Sequence, residues 1–86
     1  MTQLRVADGV LIHEEQGEAF LLHAGSGRYF GLNKAGVTIW RAIERGDDPV
    51  AALGERWPEV PLEARQRDAD ALIAHLVAAD LVISST

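Results

Sequence analysis

Histidines and carboxylates are the side chains with which this chain could perform acid–base or metal chemistry, which requires a group oriented by a partner. The histidines are His13, His23 and His75. The strand alternation described below puts His13 and His23 on opposite faces of one hairpin, so they cannot bind the same metal ion. His75 falls on the solvent side of a predicted helix. We therefore interpret all three as structural or exposed histidines.

The carboxylates do not form a paired-acid site either. Glu14 and Glu15 are adjacent in a predicted strand and point to opposite faces. Asp68 and Asp70 are two residues apart on a predicted helix, where side chains do not face one another. The chain has no cysteine, which excludes disulfides and thiolate metal sites. We predict a protein without catalytic residues, metal or cofactor, and therefore not an enzyme.

A glycine-rich stretch, Gly25-Ser26-Gly27, resembles a phosphate-binding loop only superficially. It lacks the Lys-Ser/Thr pair that follows such loops, and it leads into a strand rather than a helix. We interpret it as a hairpin turn.

The first third of the chain has the alternation of antiparallel strands. Two strand-like segments, residues 10–15 and 18–24, flank Gln16-Gly17, a two-residue connection suited to a hairpin. This connection predicts that Glu15 lies opposite Glu18, His13 opposite Phe20 and Leu11 opposite Leu22. Both faces are apolar, one carrying Leu11, Phe20 and Leu22 and the other Val10, Ile12 and Leu21. One face must be the core, and the other is more apolar than a solvated sheet needs.

A third strand, Arg28–Leu32, follows the glycine turn. Its alternation places Phe30 and Leu32 on one face and Tyr29 and Gly31 on the other. Its register against the second strand stays open by one residue. The meander leaves the first and third strands as edges.

Three helices are predicted after the sheet. Asn33 is an N-cap, Gly46 ends the first helix, and Asp48-Pro49 begins the second. The third helix runs from about Leu62 to Ala79, and Leu81–Ile83 returns as a short extended tail. The expected buried stripes are Gly36, Ile39, Trp40 and Ile43 in the first helix, Val50, Leu53 and Trp57 in the second, and Leu62, Ala69, Leu72, Ile73, Leu76 and Val77 in the third.

The fold class that these elements predict is α+β: one domain, residues 1–86, with a three-stranded antiparallel sheet (strands about 6–32) followed by three helices (about 33–80). The second and third helices make it winged helix-turn-helix-like. A chain of 86 residues buries only about 60–65% of its unfolded surface, so its core is modest.

Charge argues against the DNA binding that a winged helix suggests. The net charge is −5, and residues 44–86 contribute all of it, with four basic against nine acidic groups. This acidic half repels phosphate backbones and favours a basic or neutral partner; solubility alone is an equally good explanation. The N-terminus lacks signal-peptide features, and no apolar run approaches the ~18 residues that span a membrane. We expect a cytoplasmic protein that binds neither nucleic acid nor membrane.

The segment Gly27-Arg-Tyr-Phe-Gly-Leu-Asn33, followed by Gly36, Ile39 and Trp40, is similar to the motif of PqqD-like proteins, the recognition elements for RiPP (ribosomally synthesised and post-translationally modified peptide) precursors. The resemblance spans roughly residues 6–83, through Gly46, Trp57, Asp68, Leu72, Leu76 and a closing Leu81-Val82. One departure is Asp80, where the family pattern leads us to expect a glycine that ends the last helix.

The resemblance implies a module that binds the leader of a precursor peptide. In the family the leader adds as a strand to the third β-strand, in a groove walled by the third helix. The peptide-binding residues expected on this basis are Arg28, Tyr29, Phe30, Gly31, Arg65, Asp68, Ala69, Leu72, Ile73 and Leu76. Asp68 would pair with a basic leader residue. For Leu72, Ile73 and Leu76, ordinary core packing is the alternative.

Two kinds of family member are candidates. A free-standing chain of this length resembles the B1 protein of lasso-peptide biosynthesis, whose partners are a leader peptidase and an ATP-dependent macrolactam cyclase. The alternative is PqqD itself, which delivers the precursor PqqA to a radical SAM enzyme.

Overall fold

The computed structural model describes residues 3–85; Met1, Thr2 and Thr86, which the predicted domain includes, lie outside that range. The strands are β1 (Gln3–Val6), β2 (Val10–Glu15), β3 (Glu18–His23), β4 (Arg28–Leu32) and β5 (Val82–Ser85), and the helices are α1 (Lys34–Arg45), α2 (Pro49–Arg56) and α3 (Leu62–Ala78). The strands β2, β3 and β4 form an antiparallel sheet in that order. The predicted α+β class, a three-stranded sheet followed by three helices, is confirmed.

The β2–β3 hairpin has the predicted register. Glu15 pairs with Glu18, His13 with Phe20 and Leu11 with Leu22. Gln16 and Gly17, at φ 55° and 82°, form the left-handed turn that a two-residue connection requires. The register that the sequence left open is also settled, since Leu21 pairs with Phe30 and Leu22 with Tyr29.

The core lies on the face of the sheet that carries Val10, Ile12 and Leu21. Leu21 is fully buried, and β4 adds Leu32 to the same face. From the helices, Ile39, Trp40, Leu53 and Leu76 complete this layer. The other sheet face faces solvent.

The helix termini follow the predicted signals. Asn33 accepts a hydrogen bond from the Gly36 amide (2.8 Å), and Asp48 accepts one from the Val50 amide (2.9 Å) with Pro49 in the first turn. Gly46 ends α1 in the left-handed conformation. At the end of α3, Asp80 adopts φ 62°, the conformation for which a glycine was expected.

One prediction is extended by the structure and one needs correction. The segment Leu81–Ile83 packs on the body as the predicted extended tail, and from Val82 it forms β5, which pairs antiparallel with β1, a strand the sequence analysis did not predict. Leu62 was assigned to the buried stripe of α3, yet it is 60% exposed because it opens the helix and projects past the core.

Candidate peptide-binding groove

The free edge of β4 is the feature around which the site is built. Within the described residues, β4 pairs only with β3, so its other side has no strand partner. In an antiparallel ladder, alternate residues point their N–H and C=O groups away from the neighbouring strand. The β4 edge therefore presents unpaired backbone donors and acceptors along residues 28–32.

Side chains of β4 alternate between two environments. Phe30 and Leu32 face the core, and Leu32 is buried while Phe30 is only half-buried, because nothing covers it on the open side. Tyr29 points to the outer face and is 74% exposed. Gly31 is exposed beneath the Phe20 ring, where an added Cβ would lie 3.7 Å from Phe20 Cε1.

The α3 helix passes close to the start of α1, which directly follows β4. Arg65, Asp68 and Leu72 are three and four residues apart, so they share one side of the helix. Arg65 and Asp68 lie near Ala35 in the first turn of α1, just after β4. Leu72 is half-buried and packs against the core. We use the name groove for the candidate site made up of the β4 edge, Phe30 and this side of α3.

Two of the predicted peptide-binding residues on α3 are hidden in the core. Ala69 and Leu76 are completely buried in the core, so they support the helix from beneath and offer no surface to a peptide. Their assignment as contact residues is corrected accordingly. Ile73 is half-buried and packs against the core as Leu72 does, about 100° further around the helix. Leu72 and Ile73 therefore stay predicted as the apolar α3 residues of the groove.

Comparison with known protein families identifies the family to which this chain belongs. Residues 9–82 match the family described as coenzyme PQQ synthesis protein D, PqqD. The chain belongs to the PqqD family. No curated protein sequence matches it significantly.

A solved structure of the same fold extends the comparison. The structure of TbiB1 in complex with the TbiA(beta) leader peptide has a TM-score of 0.82 and 28% sequence identity, and the match covers 91% of this chain and 93% of that one. The resemblance to PqqD-like recognition elements of the B1 type is therefore confirmed.

This PqqD-family protein also exposes an apolar surface on the outer face of its sheet. Leu11 and Phe20 are 61% and 62% exposed, and half-buried Leu22 lies between Leu11 and Tyr29 in the pairing. We call this patch, formed by Leu11, Phe20, Leu22 and Tyr29, the outer face. The sequence indicated it through the second apolar stripe of the hairpin, although not as a functional surface.

The charged residues of the groove have distinct surroundings. Arg65 is half-buried, and its Nε donates to the Val60 carbonyl at 3.1 Å. Asp68 is exposed and lies 4.0 Å from Arg67, a weak solvated pair that leaves its carboxylate accessible. Arg28, at the start of the edge, is exposed.

A separate ion-pair network attaches the sheet to α1. Arg41 donates to Glu44 at 2.6 Å and also to Glu14 of β2. The hydrogen bonds to Glu44 and Glu14, in that order, raise the pKa of Arg41, so it remains charged. This network fixes the far edge of the sheet and leaves the β4 edge free.

The residues considered for chemistry remain apart. His13 lies beside Glu15 at 3.6 Å on the outer face, His23 accepts a hydrogen bond from the Ser26 amide in the glycine turn, and His75 is exposed on α3. Among residues 3–85, no group of three His, Cys, Asp or Glu side chains is arranged to hold a metal ion. No helix in this range is long and apolar enough to cross a bilayer.

The sequence analysis missed one component of the site. A pocket of about 250 Å³ opens between α1, α2 and α3, lined by Ala35, Leu53, Trp57, Val60, Arg65 and Asp68. Its signal in the sequence was Trp57, assigned only to the buried stripe of the second helix. In the structure Trp57 is half-buried, packs against the core and lines this pocket.

Proposed function

We propose that this protein is a non-catalytic adaptor that binds the leader region of a ribosomally made precursor peptide as an additional strand on β4, against α3. The observation that carries the proposal is the edge of β4, which carries half-buried Phe30 and has no strand partner on that side among residues 3–85. The leader peptide bound to the structurally similar TbiB1 supports the same role here.

Strand addition explains how one groove can bind a peptide with high affinity and also select among peptide sequences. Backbone hydrogen bonds to the β4 edge provide affinity that does not depend on sequence, and pockets for alternate side chains provide selectivity. Peptide side chains on the inner side would meet Phe30 and Leu72. Those on the other side would meet Tyr29 at cross-strand distance. Asp68 is available to a basic leader residue at the rim.

An adaptor also needs a second surface, on which the modifying enzyme docks. We assign this role to the outer face, because it is apolar and exposed and shares only Tyr29 with the peptide-binding edge. The enzymes are a leader peptidase and an ATP-dependent macrolactam cyclase of lasso-peptide biosynthesis, and the adaptor acts in the cytoplasm. B1-type architecture favours this pathway.

The second candidate is a PqqD-type chaperone that delivers the precursor of PQQ to a radical SAM enzyme. It is favoured by the family description, coenzyme PQQ synthesis protein D. Both candidates use the same groove and differ in the peptide and the enzyme. DNA binding is disfavoured by the net charge of −5.

Fluorescence anisotropy with a labelled leader peptide tests the proposal. The probe is the leader region of the cognate precursor peptide, to be identified by reading the neighbouring genes. Leu72→Asp places a charge in the groove and is expected to weaken binding at least tenfold. Ala74→Asp is the matched control, because Ala74 is exposed on the same helix and is not three or four residues from Arg65, Asp68 or Leu72. Binding to this variant should change less than twofold.

Two results would contradict the groove assignment. One is a leader affinity that Leu72→Asp leaves unchanged, and the other is an equal loss of leader affinity for Leu72→Asp and the control variant. No binding of the leader by the wild-type protein, at micromolar concentration and low salt, would reject the adaptor function. Exchanging the probe for a PqqA-type leader separates the two pathways.

A further inference from the structure

The hydrogen bonds of the β2–β3 hairpin determine which backbone groups of β4 face its free edge. In an antiparallel pair, rows that exchange two hydrogen bonds alternate with rows that exchange none. The Ala24 amide donates to the Gly9 carbonyl at 2.9 Å, so that row is bonded. The next row, Val10 and His23, is therefore unbonded, and the backbone groups of His23 point away from β2 and toward β4. The His23 carbonyl accordingly accepts from the Gly27 amide, in the turn before β4.

The same alternation fixes the direction of each β4 residue. Arg28, Phe30 and Leu32 lie in the rows that bond to β3. Tyr29 and Gly31 lie between them, so their N–H and C=O groups point to the side on which β4 has no strand partner among residues 3–85. The free edge therefore presents the backbone groups of two residues that are two positions apart.

This edge is complementary to the same edge of a second copy. When two β4 strands pair antiparallel with Phe30 opposite Phe30 of the other copy, Tyr29 of each copy falls opposite Gly31 of the other. Both of these rows are bonded, so every edge-facing N–H and C=O group of Tyr29 and Gly31 finds a partner. A register shifted by two residues in either direction bonds only one of the two residues within the strand. The pairing is isologous and closes on itself.

The outer-face side chains fit this register. Phe20 pairs with Gly31 in the sheet, and its ring lies 3.7 Å from the position of a Cβ on that glycine. Tyr29 of the other copy would continue the same row, next to the Phe20 ring. Phe20 and Tyr29, which are 62% and 74% exposed, would therefore cover one another across a residue without a side chain.

The core-facing side chains and the charge of β4 fit it as well. Phe30 lies in an unbonded row, where opposite Cα atoms are about 4.5 Å apart, so each half-buried ring would cover the other. Arg28, the charged residue of β4, falls opposite Leu32 and meets no like charge. The strand also has no proline that would block pairing at its edge.

We propose that, without a leader peptide, two copies of this protein pair through their β4 edges in this register and form a symmetric dimer. A peptide strand and a second copy compete for the same backbone groups of Tyr29 and Gly31, so leader binding releases monomers. The pairing itself does not depend on the proposed function; only its reversal by the leader rests on that function.

The dimer is weak, because the paired strand has five residues and each copy carries a net charge of −5. It forms at high protein concentration, and below that concentration the protein is monomeric and its edge is free. Salt screens the repulsion between the two acidic copies and therefore strengthens the dimer.

Sedimentation velocity, from micromolar to millimolar protein concentration, measures the self-association. The weight-average sedimentation coefficient should rise toward that of a dimer with protein concentration and rise further with added salt. Saturating leader peptide should lower it to the value of a complex of one protein with one peptide. A wild-type protein that stays monomeric throughout, or a dimer that binds leader without dissociating, would overturn the proposal.

Two charge variants test the register. Tyr29→Lys combined with Gly31→Lys places like charges opposite each other in both bonded rows, and the corresponding pair of Glu substitutions does the same with the opposite sign. Tyr29 is exposed, and a Cβ on Gly31 meets nothing closer than 3.7 Å, so both positions accept a side chain. Each variant alone should dimerise at least tenfold more weakly than wild type, and their equimolar mixture should form a heterodimer.

Leu11→Lys combined with His13→Lys is the control for added charge, because both residues are exposed on β2, away from the β4 edge. Its dimer dissociation constant should stay within twofold of wild type. Wild-type dimerisation by each β4 charge variant on its own would contradict the register.

Cysteine cross-linking covers the case in which the charge variants do not fold. The chain has no cysteine, so a single introduced thiol reports on its own neighbour in the dimer. Phe30→Cys lies opposite itself, with Cα atoms about 4.5 Å apart, and should form a disulfide-linked dimer at a rate that the leader lowers. Tyr29→Cys lies diagonal to its copy, at about 7–8 Å, and should cross-link at least tenfold more slowly.

Equal cross-linking rates for the two variants would overturn the proposed pairing. A leader that fails to bind the wild-type protein, while Phe30→Cys still cross-links selectively, would reject the proposed function and support the self-pairing.

Discussion

Leu21 and Phe30 lie directly opposite each other in the β3–β4 ladder, yet Leu21 is fully buried and Phe30 is only half-buried. Both side chains point to the core face, so the difference comes from position across the sheet. Leu21 is on the central strand, whereas Phe30 is on an edge that no further strand covers. An added peptide strand would bury the exposed side of Phe30.

The two faces of the hairpin should respond differently to truncation. Leu21→Ala removes a fully buried side chain and should lower the free energy of unfolding by about 2–5 kcal/mol. Leu11→Ala, on the 61% exposed outer face, should change it by no more than about 0.5 kcal/mol. Urea unfolding measures both. A similar loss for the two variants would show that the outer face is not solvated.

Tyr29 tests the outer side of the edge. Tyr29→Ala should leave stability within about 0.5 kcal/mol of wild type, because the side chain is 74% exposed. Leader affinity should fall several-fold, since cross-strand aromatic contacts contribute about 0.2–1 kcal/mol each. Tyr29→Phe keeps the ring and is the control. Unchanged affinity for the alanine variant would remove Tyr29 from the site.

Gly54 and Arg65 should show non-additive effects on stability. Glycine to alanine in a helix interior usually stabilises by about 1 kcal/mol. Here the added methyl collides with the guanidinium, so Gly54→Ala should destabilise instead. In an Arg65→Ala background the same change should stabilise. A double-mutant cycle by chemical denaturation measures the coupling free energy between the two positions. Additive effects of the two substitutions would contradict a contact between the Arg65 guanidinium and α2 at Gly54.

Asn33 couples the peptide-binding edge to the helices. Its side chain accepts from the Gly36 amide at 2.8 Å, immediately after β4 ends. Asn33→Ala should cost about 1 kcal/mol, and Asn33→Asp should retain most of the stability because aspartate also caps helices. Equal losses for alanine and aspartate in thermal unfolding would argue against capping as the role of this residue.

Local signals in the sequence predicted much of this fold. The Gln16-Gly17 turn set the β2–β3 register, and Asn33, Gly46 and Asp48-Pro49 set the helix boundaries, because each acts within a few residues. The β1–β5 pair was missed because Leu4 and Ser84 are joined only by tertiary structure. Nothing local distinguishes such short segments from extended termini.

The sequence predicted the side-chain orientations along β4 better than the burial of the α3 residues. Alternation along β4 correctly separated Tyr29 from Phe30. Helical periodicity could not decide which residues of the α3 stripe are core, so Ala69 and Leu76 were assigned to a surface from which they are hidden. The pocket lined by Leu53, Trp57 and Arg65 depends on how α1, α2 and α3 pack against one another. No single sequence motif determines that packing.

The central claim is that a peptide adds as a strand to β4. Amide hydrogen exchange, followed by NMR with and without the leader peptide, tests it most directly. Alternate amides within Arg28–Leu32 should exchange rapidly in the free protein and become protected when the peptide binds, while the outer edge of β2 should not change. Binding that leaves the β4 amides unprotected, or that protects the β2 edge instead, would contradict the account.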